Sequence, residues 1–154
     1  MTTASPSGVT FAPAAAMLAG HLADHVVPEP VSLTVTTSYG HSTATAQLRA
    51  TAVPGLAADL IAWADPLGVV TVEAWRPPER DQVHLSIHGT LTGSTGAVEL
   101  KVFGGVDDDP LRFVDLQADH YQGMSLSLEQ LRSWTANPQP STDSAALDTH
   151  QADR

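Results

Sequence analysis

Three consecutive segments in the middle of the chain alternate apolar and polar residues with a period of two. The apolar residues at every second position are Val70, Val72, Ala74, Val83, Leu85, Ile87, Val98, Leu100 and Val102. Because successive side chains of a β-strand point to opposite faces, this pattern predicts three strands that each bury one face. The turn sequences RPPER and TGSTG separate the segments, so the strands are predicted to form an antiparallel meander.

An earlier part of the chain predicts a hairpin. The segments VSLTVTT and TATAQLRA alternate in the same way and are joined by the short loop SYGHS. Val31, Leu33 and Val35 of the first segment are expected to face the core. Both strands are therefore predicted to be half-buried, with polar residues on their other face.

Three further segments show the spacing of amphipathic helices. The first is predicted over Ala14–His25, and the second begins at Pro54 and ends near Gly68. The third begins near Ser127, whose spacing to Gln130 fits a capping box. The order α-β-β-α-β-β-β-α predicts an α+β fold, in which a mostly antiparallel five-stranded sheet carries helices on one face.

The chain has the length of one domain, with 154 residues. Residues 1–10 are small and polar, and residues 137–154 are acidic and interrupted by proline, so neither segment has enough apolar surface to offset the entropy of ordering. We therefore expect a single α+β domain over residues 11–136 between two disordered tails.

The chain carries 17 acidic and 7 basic residues, a formal net charge of -10. This charge repels phosphates, so we expect neither a nucleic-acid partner nor a membrane. The simpler interpretation is that this negative charge keeps the protein soluble. The alternative is an acidic face that docks a basic protein. Cysteine is absent, which excludes disulfides, thiolate metal sites and cysteine nucleophiles. The N-terminal sequence lacks the features of a signal peptide, which favours a cytoplasmic location.

Two histidine pairs are candidates for chemistry. His21 and His25 lie one helical turn apart, a spacing that can place two imidazoles on one metal ion. No third ligand accompanies them, so they are interpreted as polar residues beside an apolar helical stripe, and no metal site is predicted. His84 and His88 share the polar face of one strand, next to a strand that carries Glu73. A histidine beside a carboxylate can act as a general base, although solvated histidines are more common on a sheet face.

Two aromatic residues lie out of phase with the buried residues of their strands. Trp75 and Phe103 are therefore expected on the polar outer face of the sheet. Together with Arg49 they predict a contact surface, because Trp and Arg are enriched at binding hot spots. Two explanations stay open: the segment Leu111–Leu116 or the C-terminal helix covers this face, or a partner does.

The sequence contains no G-x-S-x-G, P-loop or dinucleotide fingerprint, and no cofactor is expected. It favours a non-enzymatic binding or accessory protein, which contacts a protein partner or a second copy of itself through the outer sheet face or its acidic rim. Two alternatives stay open. One is a small hydrolase or isomerase that uses His84 or His88 with Glu73, and the other is an acidic mimic that inhibits a DNA-binding protein.

Overall fold

The computed structural model describes residues 9–78, 80–107, 109, 113 and 123–136. Both predicted tails lie outside these residues, except for Val9 and Thr10. Val9 is buried, and its carbonyl oxygen accepts a hydrogen bond from the Ser42 hydroxyl. The elements in chain order are α1 (Phe11–Asp24), β1 (Ser32–Ser38), β2 (His41–Gln47), α2 (Val53–Ala64), β3 (Thr71–Trp75), β4 (Gln82–Gly93), β5 (Gly96–Asp107), β6 (Met124–Leu126) and α3 (Leu128–Ser133).

The six strands form one sheet in the order β1-β2-β5-β4-β3-β6. The α+β class is confirmed, but the sheet differs from the prediction in two respects. The short strand β6 pairs with β3 and adds a sixth strand, and β2 pairs with β5 in parallel, which makes the sheet mixed. The meander of β3, β4 and β5 is antiparallel, as its alternating sequence predicts.

The core lies between one face of the sheet and the helices. Leu56, Leu60 and Trp63 of α2 are fully buried, at the helical spacing that the sequence shows. The buried apolar side chains of the strands on this face are those of Ala44, Ala46, Val72, Ala74, Val83, Leu85, Ile87, Leu91, Val98, Leu100, Val102 and Val106. We call this the inner face and the opposite one the outer face. Within the described ranges, no helix is long and apolar enough to cross a membrane.

The C-terminal helix α3 does not lie on the outer face. Its predicted capping box is confirmed, because the Ser127 hydroxyl accepts from the Gln130 N–H and the Gln130 side chain accepts from the Ser127 N–H. Leu131 is fully buried, and the helix packs against α2. Phe113 is also buried, 5.4 Å from the Trp134 ring. Cover by α3 is therefore wrong, and the rest of the segment 111–116 lies outside the described residues.

The edge strand β1 is more exposed than its alternation predicts. Val31 and Leu33 retain 51% and 41% of their accessible surface, and only Val35 is half-buried. These residues do lie on the helix side, because Leu33 and Val35 pair with the buried Ala46 and Ala44 of β2. Their exposure follows from the position of β1 at the end of the sheet, where few neighbours cover them.

Candidate functional site

Strand register brings half of the predicted site residues, Glu73, Trp75, His84 and Phe103, together in a depression on the outer face. Trp75 pairs with His84 across β3 and β4, and Phe103 pairs with Ser86 across β5 and β4. The depression has a volume of about 450 Å³, and we call it the outer cleft. It is lined by Glu73, Trp75, His84, Ser86, Lys101, Phe103 and Gly123.

Three rings form a row across the outer cleft. The His84 ring meets Trp75 edge to face at 5.4 Å between centroids, and it stacks on Phe103 at 6.0 Å with only 19° between the planes. The Lys101 ammonium lies 5.5 Å from the centroid of Phe103, within the range of a cation–π contact. Trp75 and Phe103 are both half-buried, so the row keeps part of its aromatic surface open to solvent.

Two glycines make room for this arrangement. A methyl group at Gly105 would lie only 3.1 Å from His84 Nε2, so the absence of a side chain there lets the imidazole lie across β5. A methyl group at Gly123 would lie 3.2 Å from the Ala74 carbonyl oxygen. Neither glycine has a positive φ, so their role is close approach and not an unusual backbone conformation.

His88 contacts Ser86 and Glu73 through a single ring nitrogen. The His88 Nε2 atom lies 3.2 Å from the Ser86 hydroxyl oxygen and 3.5 Å from Glu73 Oε2. In a nucleophilic triad the serine and the carboxylate use different nitrogens of the imidazole, so that one accepts the proton while the other is held in place. Here both partners meet the same nitrogen, so the trio lacks the geometry of a triad.

Burial lowers the pKa of His84 and of His88. For His84 the nearby positive charges of Arg80 and Lys101 lower the pKa further. For His88 the carboxylate of Glu73 acts in the opposite direction, and Lys101 lowers the pKa. Both imidazoles are therefore neutral at neutral pH, and Lys101 is the cationic side chain that lines the outer cleft.

A second depression of about 480 Å³ adjoins the first on the outer face. Lys101 lines both of them, and His88, Thr71 and Glu99 line the second one only. The register sets Lys101 of β5 directly opposite His88 of β4. The two depressions together form a continuous uneven surface over β3, β4 and β5.

His21 lies on α1 and His25 is the residue that caps its C-terminal end, and both are away from the outer cleft. Their rings are 4.7 Å apart, and His21 is buried, with its ring 6.0 Å from that of Trp63. Among the described residues the His21 Nε2 atom has no hydrogen-bond partner, and burial lowers the pKa of His21. His21 is thus part of the buried helix surface and does not flank it. In the part of the chain that the structure describes, no group of three or more metal-ligating side chains occurs.

Of the predicted contact residues, Trp75 and Phe103 line the outer cleft and Arg49 does not. Arg49 follows the end of β2 and is exposed. Sequence reasoning missed the contribution of Gly105, although a glycine inside an alternating strand is a signal of close approach. It also missed Gly123, which lies in a segment without a clear pattern.

Comparison of the chain with protein-family models, curated proteins and solved structures finds no match.

Proposed function

We propose that this protein is a non-enzymatic binding protein that holds a basic side chain of a protein partner in the outer cleft. The row formed by Trp75, His84 and Phe103 carries this proposal. Aromatic side chains that are half-buried on a sheet face are suited to act as binding anchors, because they need little further ordering when a partner covers them. The helices α1 and α2 pack on the inner face and α3 packs against α2, which leaves this row accessible among the described elements.

Glu73 and Lys101 balance each other in the outer cleft, so the aromatic row and the overall acidic charge, and not the net charge of the cleft, favour a cationic group, arginine above all. A guanidinium stacks on aromatic faces and pairs with carboxylates, and Glu73 supplies a carboxylate beside Trp75. The two imidazoles add no positive charge at neutral pH, because burial lowers the pKa of both. The net charge of -10 attracts a basic partner from a distance.

The contacts of His88 weigh against this residue as the general base in the hydrolase or isomerase alternative. A general base needs a free lone pair directed at the substrate, whereas the Nε2 atom of His88 already faces Ser86 and Glu73. Under the binding proposal these contacts hold the floor of the cleft in place. We expect no hydrolysis of activated esters above background, and equal rates for the wild type and the His88→Ala variant.

The arrangement of charges on the outer face gives no support to an acidic mimic of DNA. Glu99 and Lys101 alternate along β5, so carboxylates do not follow one another there at the spacing of phosphates. We also propose a cytoplasmic location, since a chain without cysteine needs no oxidising compartment to fold.

The Trp75→Ala variant tests the proposal with hexa-arginine and hexa-lysine peptides as probes. Titrations at low salt should show tighter binding of hexa-arginine, because the guanidinium stacks on indole better than an ammonium does. Truncation of a hot-spot aromatic costs about 2 kcal/mol of binding, so the Trp75→Ala variant should bind hexa-arginine about 30-fold more weakly.

Phe11→Ala is the matched control, because Phe11 is an exposed aromatic residue on α1, on the other side of the sheet. Its affinity for both peptides should equal that of the wild type. Unchanged affinity in Trp75→Ala, or no preference for arginine, would show that the peptides bind the acidic chain by diffuse attraction only, because neither substitution changes a charge. Urea unfolding of Trp75→Ala checks that the loss of affinity does not result from unfolding.

A further inference from the structure

The edge strand β1 lacks the features that normally protect an edge from pairing. It is seven residues long, and among the described strands it has a neighbour only on the β2 side. Alternate residues of such a strand direct their N–H and C=O groups outward. Proteins usually protect a long edge with charged residues, proline or a bulge, and the sequence SLTVTTS has no charge and no proline. The opposite edge, β6, has only three residues.

The whole hairpin of β1 and β2 carries none of the acidic or basic residues of this chain. Between Ser32 and Gln47 there is no Asp, Glu, Lys or Arg, although the protein carries a net charge of -10. Two copies of this chain repel each other wherever their acidic surfaces approach. The hairpin is a surface on which two copies can meet without placing like charges in contact.

The inner side of this edge also exposes apolar side chains. Val31 and Leu33 are 51% and 41% exposed and lie next to the half-buried Val35. The pairing with β2 includes Val31, whose N–H donates to the Gln47 carbonyl at 2.8 Å. A strand added beside β1 would therefore cover a continuous apolar strip as well as the open backbone groups.

We propose that two copies of this chain pair antiparallel through β1, about a two-fold axis perpendicular to the sheet. A two-fold pairing can place Thr34 opposite Thr34 of the second copy. Leu33 of each chain then lies opposite Val35 of the other on the inner side, and threonine and serine face each other on the outer side. The strand is thus complementary to itself, as a two-fold interface requires.

The proposed dimer joins the outer faces of two copies into one surface. An axis perpendicular to the sheet keeps both outer faces on the same side of one twelve-stranded sheet. Five strand spacings separate the two copies of β5, and with about 4.8 Å for each spacing the distance is about 24 Å. Two outer clefts would therefore lie on the same face of one continuous sheet, at a distance that one partner can span.

Sedimentation of the full chain from about 1 µM to about 1 mM tests this interface, since the range covers weak and moderate affinities. We expect twice the chain mass of 16.1 kDa, with a dissociation constant that rises about tenfold or more in Leu33→Lys. Val69→Lys is the matched control, because Val69 is an apolar residue that is 89% exposed and lies outside the hairpin. The control should sediment as the wild type does.

Hydrogen exchange provides a second measurement, which does not depend on the folding of a variant. In the wild type the β1 amides should become more protected as concentration rises, while the β4 amides, which are paired on both sides, stay unchanged. A protein that remains monomeric at every concentration overturns the proposal. So does a dimer that Leu33→Lys leaves intact, because its interface would then lie elsewhere. Neither result affects the peptide titrations that test the outer cleft.

Discussion

Gly104 and Gly105 are consecutive residues of β5 that face opposite sides of the sheet, so alanine at each position separates core packing from the outer cleft. A methyl group at Gly104 would lie 2.6 Å from Leu56 Cδ1 and 3.3 Å from the Leu48 carbonyl oxygen. Carbon atoms in contact are about 3.5–4.0 Å apart, so the Leu56 side chain would have to retreat by about 1 Å. Leu56 is fully buried in α2, and its retreat displaces other core side chains.

The expected cost of Gly104→Ala follows from two opposing effects. Overpacking of a core by a methyl group costs about 1–3 kcal/mol. Replacement of glycine by alanine restricts the unfolded chain, which offsets about 0.4–1 kcal/mol. The net loss in the free energy of unfolding is therefore about 1–2 kcal/mol, or a drop in Tm of about 2–8 °C for a chain of this size.

Gly105→Ala makes the same chemical change on the outer face. The methyl group would lie 3.1 Å from His84 Nε2, and this imidazole borders an open cleft into which it can turn. We expect the free energy of unfolding to change by less than about 0.5 kcal/mol. The stacking of His84 on Phe103 should be lost, and the affinity for hexa-arginine should fall.

Urea unfolding followed by circular dichroism, together with peptide titration, measures both effects on both variants. Gly104→Ala should lose stability and keep the affinity of the wild type, whereas Gly105→Ala should do the reverse. Equal stability of the two variants would refute the packing of α2 on β5 described above. A loss of affinity in Gly104→Ala alone would refute the assignment of binding to the outer face.

Two further predictions concern Gly20 of α1 and the three histidines whose pKa burial lowers. Gly20→Ala should raise the free energy of unfolding by about 0.5–1 kcal/mol, because glycine disfavours a helix interior and a methyl group at this position meets nothing within 4 Å. Thermal unfolding of the variant and the wild type measures this gain. Acidification should destabilise the protein, since burial holds the pKa of His21, His84 and His88 below the unfolded value of about 6.5. The unfolded chain then binds more protons, so the stability present above about pH 6.5 is lost as the pH falls. Urea unfolding from about pH 8 to about pH 5 measures this loss. The free energy of unfolding should fall less steeply with pH in the His21→Leu variant than in the wild type.

Periodicity was sufficient to predict the elements that pack against the core. Strands β3, β4 and β5 each show alternation over several residues, and α2 repeats its large apolar residues at helical spacing. The capping box at Ser127 places the start of α3 through a specific pair of hydrogen bonds. In these cases the sequence pattern and the burial have the same physical cause, because each residue is apolar where it meets the core.

The number, order and pairing of the strands could not be predicted from periodicity. β6 has only three residues, Met124–Leu126, and a run so short shows no detectable period. The parallel pairing of β2 with β5 depends on which edge of the meander lies next to the hairpin. Alternation of apolar and polar residues within a strand does not encode this choice. The exposure of Val31 and Leu33 could not be predicted for a similar reason, because an edge strand and an interior strand carry the same alternating pattern.

The two faces of the sheet differ in how strongly folding restricts the residue types that each position accepts. This difference explains why the fold was easier to predict than the function. On the inner face Gly104 is required by the close approach of Leu56, so a change there alters the free energy of unfolding. On the outer face Gly105 is required only by the position of His84, and a change there leaves the core intact. Under the proposed function, residues of the outer face are therefore free to vary with the partner that this face would bind. Folding energetics constrain them little, and a pattern that arises from folding carries little information about that partner.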